Sequence, residues 1–297
     1  MAHTLAAPEL LRWRRQQLQA GGEASQLDWL LDLEGGVSWQ TLQQLRLSPD
    51  REVSLAQPLE RLAELWHQHL CSDEPLQYLV GRCPWRDLEL EVGPGVLIPR
   101  QETEWMPDLA LGLLGPSADQ RPIAWADLGT GSGCLALALA RAWPQSRGWA
   151  VDHSPEALAI ARRNLSRYGQ EDHVALLQGS WWEPLRPWFG SLNLVVSNPP
   201  YIPTAVWRSL EPQVRDFEPS LALDGGGDGL EAIRTIAAGA STGLAPGGWL
   251  LLEHHHDQST AVLQVLEAAG LEELQAHPDL EGVQRFASGR RAEKPWA

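Results

Sequence analysis

The segment 195–202 constrains this chain more than any other stretch, because a buried strand ends there abruptly. The apolar residues 194–196 predict that strand. Asn198-Pro199-Pro200 follows it, and neither a helix nor a central strand can continue through two prolines. In an open α/β sheet, ligands bind just beyond the carboxyl ends of the strands. The sequence therefore predicts a rigid polar turn at the ligand-binding edge of such a sheet.

Each part of this turn suits the binding of a planar nitrogen that carries two hydrogens. The side-chain oxygen of Asn198 can accept a hydrogen bond from one N–H, and the backbone carbonyl of Pro199 can accept one from the other. The ring of Tyr201 can pack on the flat face of an amide or a base, while Pro200 stiffens the backbone. We interpret these residues as a clamp for an amide or amine nitrogen. A simple rigid turn is the alternative for Asn-Pro taken alone.

The chain around this turn alternates between predicted strands and helices from residue 123 onward. Strands are predicted at 123–126, 148–152, 174–178, 192–196, 249–253, 271–274 and 283–287, and helices at 134–143 and 259–269. This alternation predicts an α/β fold.

A glycine-rich turn, residues 127–133, joins the first of these strands to a helix. Its glycines let the backbone approach a ligand, and the helix N-terminus supplies free N–H groups. Dinucleotide-binding enzymes use a similar loop, but here the acidic residue Asp127 lies at the strand end, two positions before the first glycine, and Cys134 replaces their third small residue. The next strand ends in Asp152, an acid placed to bind ribose hydroxyls. A cap for the helix that follows is the alternative role of Asp152.

The part of the chain before residue 101 has a different character. Residues 1–74 read as a small helical bundle with no catalytic constellation. In residues 75–100, Leu88, Leu90 and Val92 alternate with charged residues, which is typical of a half-exposed strand. A Gly-Pro-Gly turn then leads into residues 96–98, so we predict that these two strands form a hairpin linking two domains.

Composition limits the possible partners and compartments. The net charge of −15 disfavours binding to nucleic-acid phosphates. Apolar runs are too short for a membrane span, and the N-terminus lacks a signal-peptide pattern. The three cysteines form no CxxC pair, and their odd number points to a reducing cytoplasm. Three consecutive histidines, 254–256, would alternate faces on a strand, so no metal site is expected.

Five segments together resemble the protein-(glutamine-N5) methyltransferase family. They are Glu-Pro-Leu-Gln-Tyr (74–78), Val-Leu-Ile-Pro-Arg (96–100), the glycine-rich turn (127–133), Asn-Pro-Pro-Tyr-Ile (198–202) and the segment 217–224. Members of that family methylate the glutamine of the Gly-Gly-Gln loop in class-I peptide chain release factors. Asn-Pro-Pro-Tyr alone is shared with DNA and RNA amine methyltransferases, whereas the Ile-Pro-Arg and 217–224 segments are much more specific. The resemblance runs from about residue 8 to residue 287.

The resemblance implies a fold, a cofactor and a set of site residues. It implies a helical bundle (1–74) that docks the release factor, a β-hairpin linker (75–100) and a seven-stranded, Rossmann-like, S-adenosylmethionine-dependent methyltransferase domain (101–297). The implied S-adenosylmethionine contacts are Asp127, Leu128, Gly129, Thr130, Gly131, Asp152, Trp181 and Asn198. The implied glutamine contacts are Asn198, Pro199, Pro200 and Tyr201, of which Asn198, Pro199 and Tyr201 are expected to act in catalysis. Gln101 and Ser180 depart from the family pattern, where Pro and Asp are usual.

Other functions share some of these features. A methyltransferase acting on an exocyclic amine of a nucleic-acid base would use the same clamp, but the acidic charge and the helical N-terminal segment count against it. A non-catalytic nucleotide-binding module would have no need of the clamp. Cys134 and the two prolines disfavour a dehydrogenase. The residues alone indicate a methyltransferase that clamps an amine or amide nitrogen, and the resemblance implies that its reaction is N5-methylation of a protein glutamine.

Overall fold

The computed structural model of the protein describes residues 3–48, 50–115 and 122–293. The chain divides into two compact units, Met1–Gly81 and Arg82–Ala297. The first unit has one buried apolar cluster of its own, and the second has two. The functional division into a docking bundle, a linker and a catalytic domain stays a prediction. Within the described ranges, no helix is both long enough and apolar enough to cross a bilayer.

The first unit combines helices with a small sheet that the sequence analysis did not predict. Its helices are α1 (Ala7–Ala20), α2 (Ala24–Leu33), α3 (Trp39–Leu47), α4 (Leu59–Ser72) and α5 (Leu76–Val80). Strand β1 (His3–Ala6) pairs antiparallel with β2 (Glu52–Leu55). Val53 and Leu55 are buried while Glu52 and Ser54 are exposed, which is the period-two pattern of a strand with one covered face.

The second unit begins with a hairpin whose pairing differs from the predicted one. Strand β3 (Arg82–Trp85) pairs with β4 (Leu88–Glu91), and the tight turn between them places Arg86 at φ 54°. The prediction that residues 96–98 form the second strand is wrong. The backbone N–H of Ile98 donates instead to the carboxylate of Glu218 at 3.0 Å, so that segment is held by a side chain and not by a strand ladder.

The predicted α/β fold is confirmed by a seven-stranded sheet. Its strands are β5 (Ala124–Leu128), β6 (Arg147–Asp152), β7 (Val174–Gln178), β8 (Leu192–Ser197), β9 (Leu244–Glu253), β10 (Leu271–Pro278) and β11 (Gln284–Arg291). They lie in the order β10-β11-β9-β8-β5-β6-β7, and β11 alone among them runs antiparallel to its neighbours.

Helices cover both faces of this sheet. They are α6 (Met106–Leu114), α7 (Cys134–Ala142), α8 (Pro155–Arg167), α12 (Glu231–Gly243) and α13 (Ser259–Ala268), with the short helices α9 (Thr204–Trp207), α10 (Pro212–Arg215) and α11 (Ser220–Leu223) between β8 and α12. One buried cluster contains residues of α6, α7 and α8, and the other contains residues of α12 and α13. A two-sided cover explains why the central strands read as continuous apolar runs.

The order of the strands reverses direction between β5 and β8. From β5 the chain proceeds outward to β6 and β7, and then returns to place β8 on the other side of β5. Asp127 of β5 lies level with Val196 of β8 and with Ala150 of β6, so these strands end at the same edge. Such a switch point leaves a crevice outside the carboxyl ends of the strands, where ligands bind in doubly wound folds.

Candidate active site

A cavity of about 940 Å³ lies along this edge of the sheet. The residues that follow four parallel strands line it: Gly129–Gly131 after β5, residues 152–157 at the end of β6, residues 178–181 after β7, and Asn198 with Pro200 after β8. Its remaining wall includes residues 95–97, Arg100, Thr103, Pro219 and Asp224. This volume lies at the upper end of the range for small-molecule sites and accommodates a cofactor together with a side chain of a second substrate.

The glycine-rich turn curls over the end of β6. The backbone N–H groups of Gly129 and Thr130 both donate to the carbonyl of Val151, at 2.8 and 2.9 Å. Gly129 (φ 76°) and Gly131 (φ 54°) both have left-handed backbones. A Cβ added to Gly131 would meet nothing within 4 Å, so the open cavity begins directly beside this backbone. The loop therefore combines a left-handed backbone, which glycine adopts without strain, with close access to the cavity, as expected of a ligand cradle.

Asp127 and Leu128 lie beneath this loop and are fully buried. The Asp127 carboxylate accepts a hydrogen bond from the Thr130 hydroxyl at 2.6 Å. Burial raises the pKa of Asp127 to about 7. The carbonyl of Leu128 accepts from the hydroxyl of Ser197 at 2.5 Å, which ties the loop to the end of β8. Contacts of Asp127 and Leu128 with the cofactor stay a prediction.

Asp152 borders the cavity and organises two loops. One of its carboxylate oxygens accepts from the backbone N–H of Gly131 at 2.8 Å, and the other from that of Ser154 at 2.9 Å. The N-cap of α8 is Ser154, whose hydroxyl accepts from the backbone N–H of Ala157. Asp152 is thus not the cap residue, and its expected contact with ribose stays a prediction.

Trp181 lines the cavity from the loop after β7. Its backbone is left-handed, with φ 47°, which is costly for a bulky residue. A Cβ on Gly129 would lie 3.3 Å from the indole ring, so the ring packs against the glycine-rich turn. The neighbouring Ser180 also borders the cavity. This placement suits an aromatic wall for a flat ring system, and its role beside adenine stays a prediction.

The predicted clamp begins at the end of β8. Asn198 and Pro200 line the cavity, while Pro199 is buried. The side-chain nitrogen of Asn198 donates to the hydroxyl of Thr103 at 3.1 Å. Tyr201 packs against the buried cluster that contains α12, and its hydroxyl donates to Glu253 at 3.1 Å. The structure therefore brings Asn198 and Pro200 to the cavity and anchors Tyr201 behind it.

Sequence reasoning missed two residues beside the clamp, Thr103 and Glu253. Glu253 ends β9 and is 1% exposed, and its second carboxylate oxygen accepts from the Thr103 hydroxyl at 2.7 Å. Burial raises the pKa of Glu253 to about 7 and that of the Tyr201 hydroxyl well above its usual value. The sequence feature that could have identified Glu253 as a site residue is an acidic side chain at the end of a buried strand. Its position next to β8 depends on the strand order, which the sequence does not state.

Two segments that carried the family resemblance meet at the cavity wall. The buried carboxylate of Glu218 accepts from the backbone N–H of Ile98 at 3.0 Å and from the Arg100 guanidinium at 2.6 Å. A second link joins Ile202 to Asp224 by a parallel bridge. The specific motifs at 96–100 and 217–224 thus support each other and hold the loop that follows the clamp.

The residues present fit S-adenosylmethionine. The open approach to Gly131, the carboxylate of Asp152 and the indole of Trp181 border one continuous cavity, at positions suited to the amino acid, ribose and adenine parts of that molecule. The clamp residue Asn198 borders the same cavity, so a methyl group and an amide nitrogen could meet there.

Comparison with known proteins agrees with this site. Residues 112–208 match the family described as the methyltransferase small domain. The hMettl16 catalytic domain, solved in complex with MAT2A 3'UTR hairpin 6, shares the fold with a TM-score of 0.55 at 13% identity, covering 83% of this chain and 86% of that chain.

Sequence relatives identify the family. The release factor glutamine methyltransferase of Prochlorococcus marinus is 49% identical over 286 residues, which cover 96% of this chain and 97% of the relative. The protein of the same name from Synechocystis is 40% identical over 302 residues, with 96% and 97% covered. Similarity of this extent covers both units, including the clamp and the glycine-rich turn. The chain therefore belongs to the release factor glutamine methyltransferase family.

Proposed function

We propose that this enzyme transfers a methyl group from S-adenosylmethionine to the N5 nitrogen of the glutamine in the Gly-Gly-Gln motif of class-I peptide chain release factors. Membership of the family supports the substrate and the cofactor. The observation that carries the chemistry is the direction in which the Asn198 amide is held, with its nitrogen toward Thr103.

This direction follows from counting protons. A threonine hydroxyl has one proton to donate. The hydroxyl oxygen of Thr103 lies 2.7 Å from a carboxylate oxygen of Glu253, and an ionised carboxylate can only accept a hydrogen bond. The group facing the remaining lone pairs of Thr103 must therefore be a donor, which is the NH₂ of Asn198. The Asn198 oxygen is left to accept hydrogen bonds at the cavity. Glutamine N5 carries two N–H donors, so an acceptor is the required partner.

The clamp addresses the main chemical difficulty of the reaction. An amide nitrogen is a weak nucleophile because its lone pair is delocalised into the carbonyl. S-adenosylmethionine supplies an electrophilic methyl group on a sulfonium. The Asn198 oxygen and the Pro199 carbonyl would each hold one N–H of the substrate amide, which favours a pyramidal nitrogen whose lone pair points at the methyl group. Positioning and hydrogen bonds that strengthen in the transition state then lower the barrier without a strong base.

We assign docking of the release factor to the first unit. Its helix α3 exposes two large apolar side chains, Trp39 (64%) and Leu47 (84%), which are available for contact with a protein partner. Release factors act in the cytoplasm, and the free cysteines Cys71, Cys83 and Cys134 suit that reducing compartment. No direct contact with nucleic acid and no membrane association are proposed.

Mass spectrometry tests the proposed function. Purified release factor is incubated with the enzyme and S-adenosylmethionine and then digested. We expect the mass of one methyl group on the Gly-Gly-Gln peptide, located on the glutamine side chain by fragmentation. Asn198→Ala enzyme is the matched control and should leave the peptide unmodified over the same time. An unmodified peptide with the wild-type enzyme, or methylation of RNA or DNA in its place, would contradict the proposal.

A further inference from the structure

Glu253 has no direct part in the proposed chemistry, yet its two carboxylate oxygens hold two residues of the Asn198 environment. One accepts from Thr103 at 2.7 Å and the other from Tyr201 at 3.1 Å. Glu253 is 1% exposed and Thr103 is 2% exposed. Burying a carboxylate is costly, and the two hydroxyl groups offset part of that cost by donating one hydrogen bond to each oxygen.

We infer that Glu253 and Thr103 are positioning residues, which fix the side-chain amide of Asn198 with its oxygen toward the substrate. The inference rests on the proposed function for its consequence in catalysis. The chain of donors runs in one direction, from the Asn198 nitrogen to the Thr103 hydroxyl and from that hydroxyl to the Glu253 carboxylate. Neither Glu253 nor Thr103 needs to exchange a proton with the substrate.

The flipped amide is disfavoured by the same chain. If the Asn198 oxygen faced Thr103, the hydroxyl would have to turn its proton away from Glu253 to satisfy it. A carboxylate oxygen of Glu253 would then be buried without a partner, which costs more than the hydrogen bond gained. The unflipped amide satisfies all three side chains. Without Thr103 the two orientations of Asn198 come close in energy, and the one that presents NH₂ to the cavity cannot accept from the substrate.

Burial, charged neighbours and hydrogen bonds together set the pKa of Glu253. Burial raises its pKa, the carboxylate of Glu102 raises it further, and the guanidinium of Arg285 lowers it. Arg285 is itself paired with Asp279 at 2.7 Å and lies 3.7 Å from Glu102. The hydroxyls of Thr103 and Tyr201 stabilise the ionised form by donating to it.

A double-mutant cycle tests the inference. Thr103→Val removes the hydroxyl and keeps the shape, and Thr103→Ser keeps the hydroxyl as the matched control. With release factor and saturating S-adenosylmethionine, we expect Thr103→Val to lower the single-turnover rate at least about tenfold and Thr103→Ser to lower it less than about threefold. In the Asn198→Ala background, adding Thr103→Val should change the rate less than about twofold, because the amide it positions is gone. If the double variant instead shows the product of the two single-variant rate losses, Thr103 has a general structural role and the inference is overturned.

A second variant covers the case in which Thr103→Val does not fold. Glu253→Leu replaces the carboxylate by an apolar side chain of similar volume, and Glu253→Gln keeps an oxygen that can accept from Thr103. We expect the Leu variant to lose at least about tenfold in rate and the Gln variant to retain more of it, with dissociation constants for S-adenosylmethionine close to that of the wild type. A Leu variant at the wild-type rate would refute the inference.

A readout without methylation separates this inference from the proposed function. The side-chain NH₂ resonances of Asn198 can be assigned in ¹H–¹⁵N spectra by their absence in Asn198→Ala. We expect slow hydrogen exchange at this amide in the wild type and in Thr103→Ser, and fast exchange in Thr103→Val. Equal exchange in all three proteins would overturn the positioning role even if the release factor is methylated. A wild type with slow exchange but no methylation would overturn only the proposed function.

Discussion

Replacing Asn198 by aspartate separates the geometry of the clamp from its charge. A carboxylate can accept the hydrogen bonds of a substrate amide, so geometry alone predicts partial activity for Asn198→Asp. The structure predicts otherwise. The new carboxylate would face the hydroxyl of Thr103, whose only proton is donated to Glu253. Two carboxylates would then compete for one hydroxyl proton.

The magnitude of this conflict follows from the distances. Bonds of 3.1 and 2.7 Å join the two positions through the same hydroxyl oxygen, so the charges would lie no more than about 6 Å apart. At an effective dielectric constant of about 20, their repulsion is roughly 3 kcal/mol, which corresponds to about two pH units. Since the pKa of Glu253 is already raised to about 7 and the repulsion adds to that shift, the pair would hold one shared proton up to about two pH units above that value.

The methyl-transfer rate of Asn198→Asp should depend on pH. Above the raised pKa both groups are ionised, and the charge at position 198 would also pair with the sulfonium in the ground state. We expect the variant to be as slow there as Asn198→Ala, while binding S-adenosylmethionine at least as well. Below that pH the pair carries one proton, and in the fraction of molecules that hold it on the new carboxyl group, that group donates to Thr103 and leaves a neutral carbonyl toward the substrate. The rate of the variant relative to the wild type should therefore rise as pH falls from about 10 to about 8.

Single-turnover kinetics with saturating S-adenosylmethionine measures this ratio. The wild type at each pH controls for other groups that titrate in this range. A variant with the wild-type rate at about pH 10, where both carboxylates are ionised, would show that neutrality at position 198 is irrelevant. A rate ratio that is flat, or that rises with pH, would refute the proposed conflict between the two carboxylates.

Three further variants test other parts of the molecule. Asp152→Ala should weaken S-adenosylmethionine binding by roughly 1.5–3 kcal/mol in calorimetry, because ribose and the backbone N–H of Gly131 would both lose a charged acceptor. An unchanged dissociation constant would show that Asp152 does not contact the cofactor. Gly131→Ala adds a methyl group into open cavity at φ 54°, so the same titration should show weaker binding while the protein still folds. Trp39→Ser combined with Leu47→Ser should raise KM for the release factor and leave cofactor affinity unchanged, and an unaltered KM would exclude α3 from docking.

The sequence by itself determined the local elements of the second unit and the chemistry of its motifs. Apolar runs bounded by Gly and Pro predicted the strands of the sheet, most clearly the central ones, because a strand covered on both faces reads as a continuous apolar run. Asn198 with its prolines and the glycines at 129 and 131 were recognisable because few residue types meet their backbone and hydrogen-bond requirements. The hairpin was misread because the left-handed turn at Arg86 has no strong sequence signal.

Only the tertiary structure decided which way the clamp faces. The three residues that orient the clamp are far apart in the chain: Asn198 follows β8, Thr103 precedes α6 and Glu253 ends β9. Hydrogen bonds between such distant residues leave no periodic pattern in the sequence, so they could not be predicted from it. The strand order places β9 beside β8, and that neighbourhood brings a buried carboxylate within reach of the clamp. The residue type at position 198 supplies both a donor and an acceptor; the proton held between Thr103 and Glu253 selects which of the two meets the substrate.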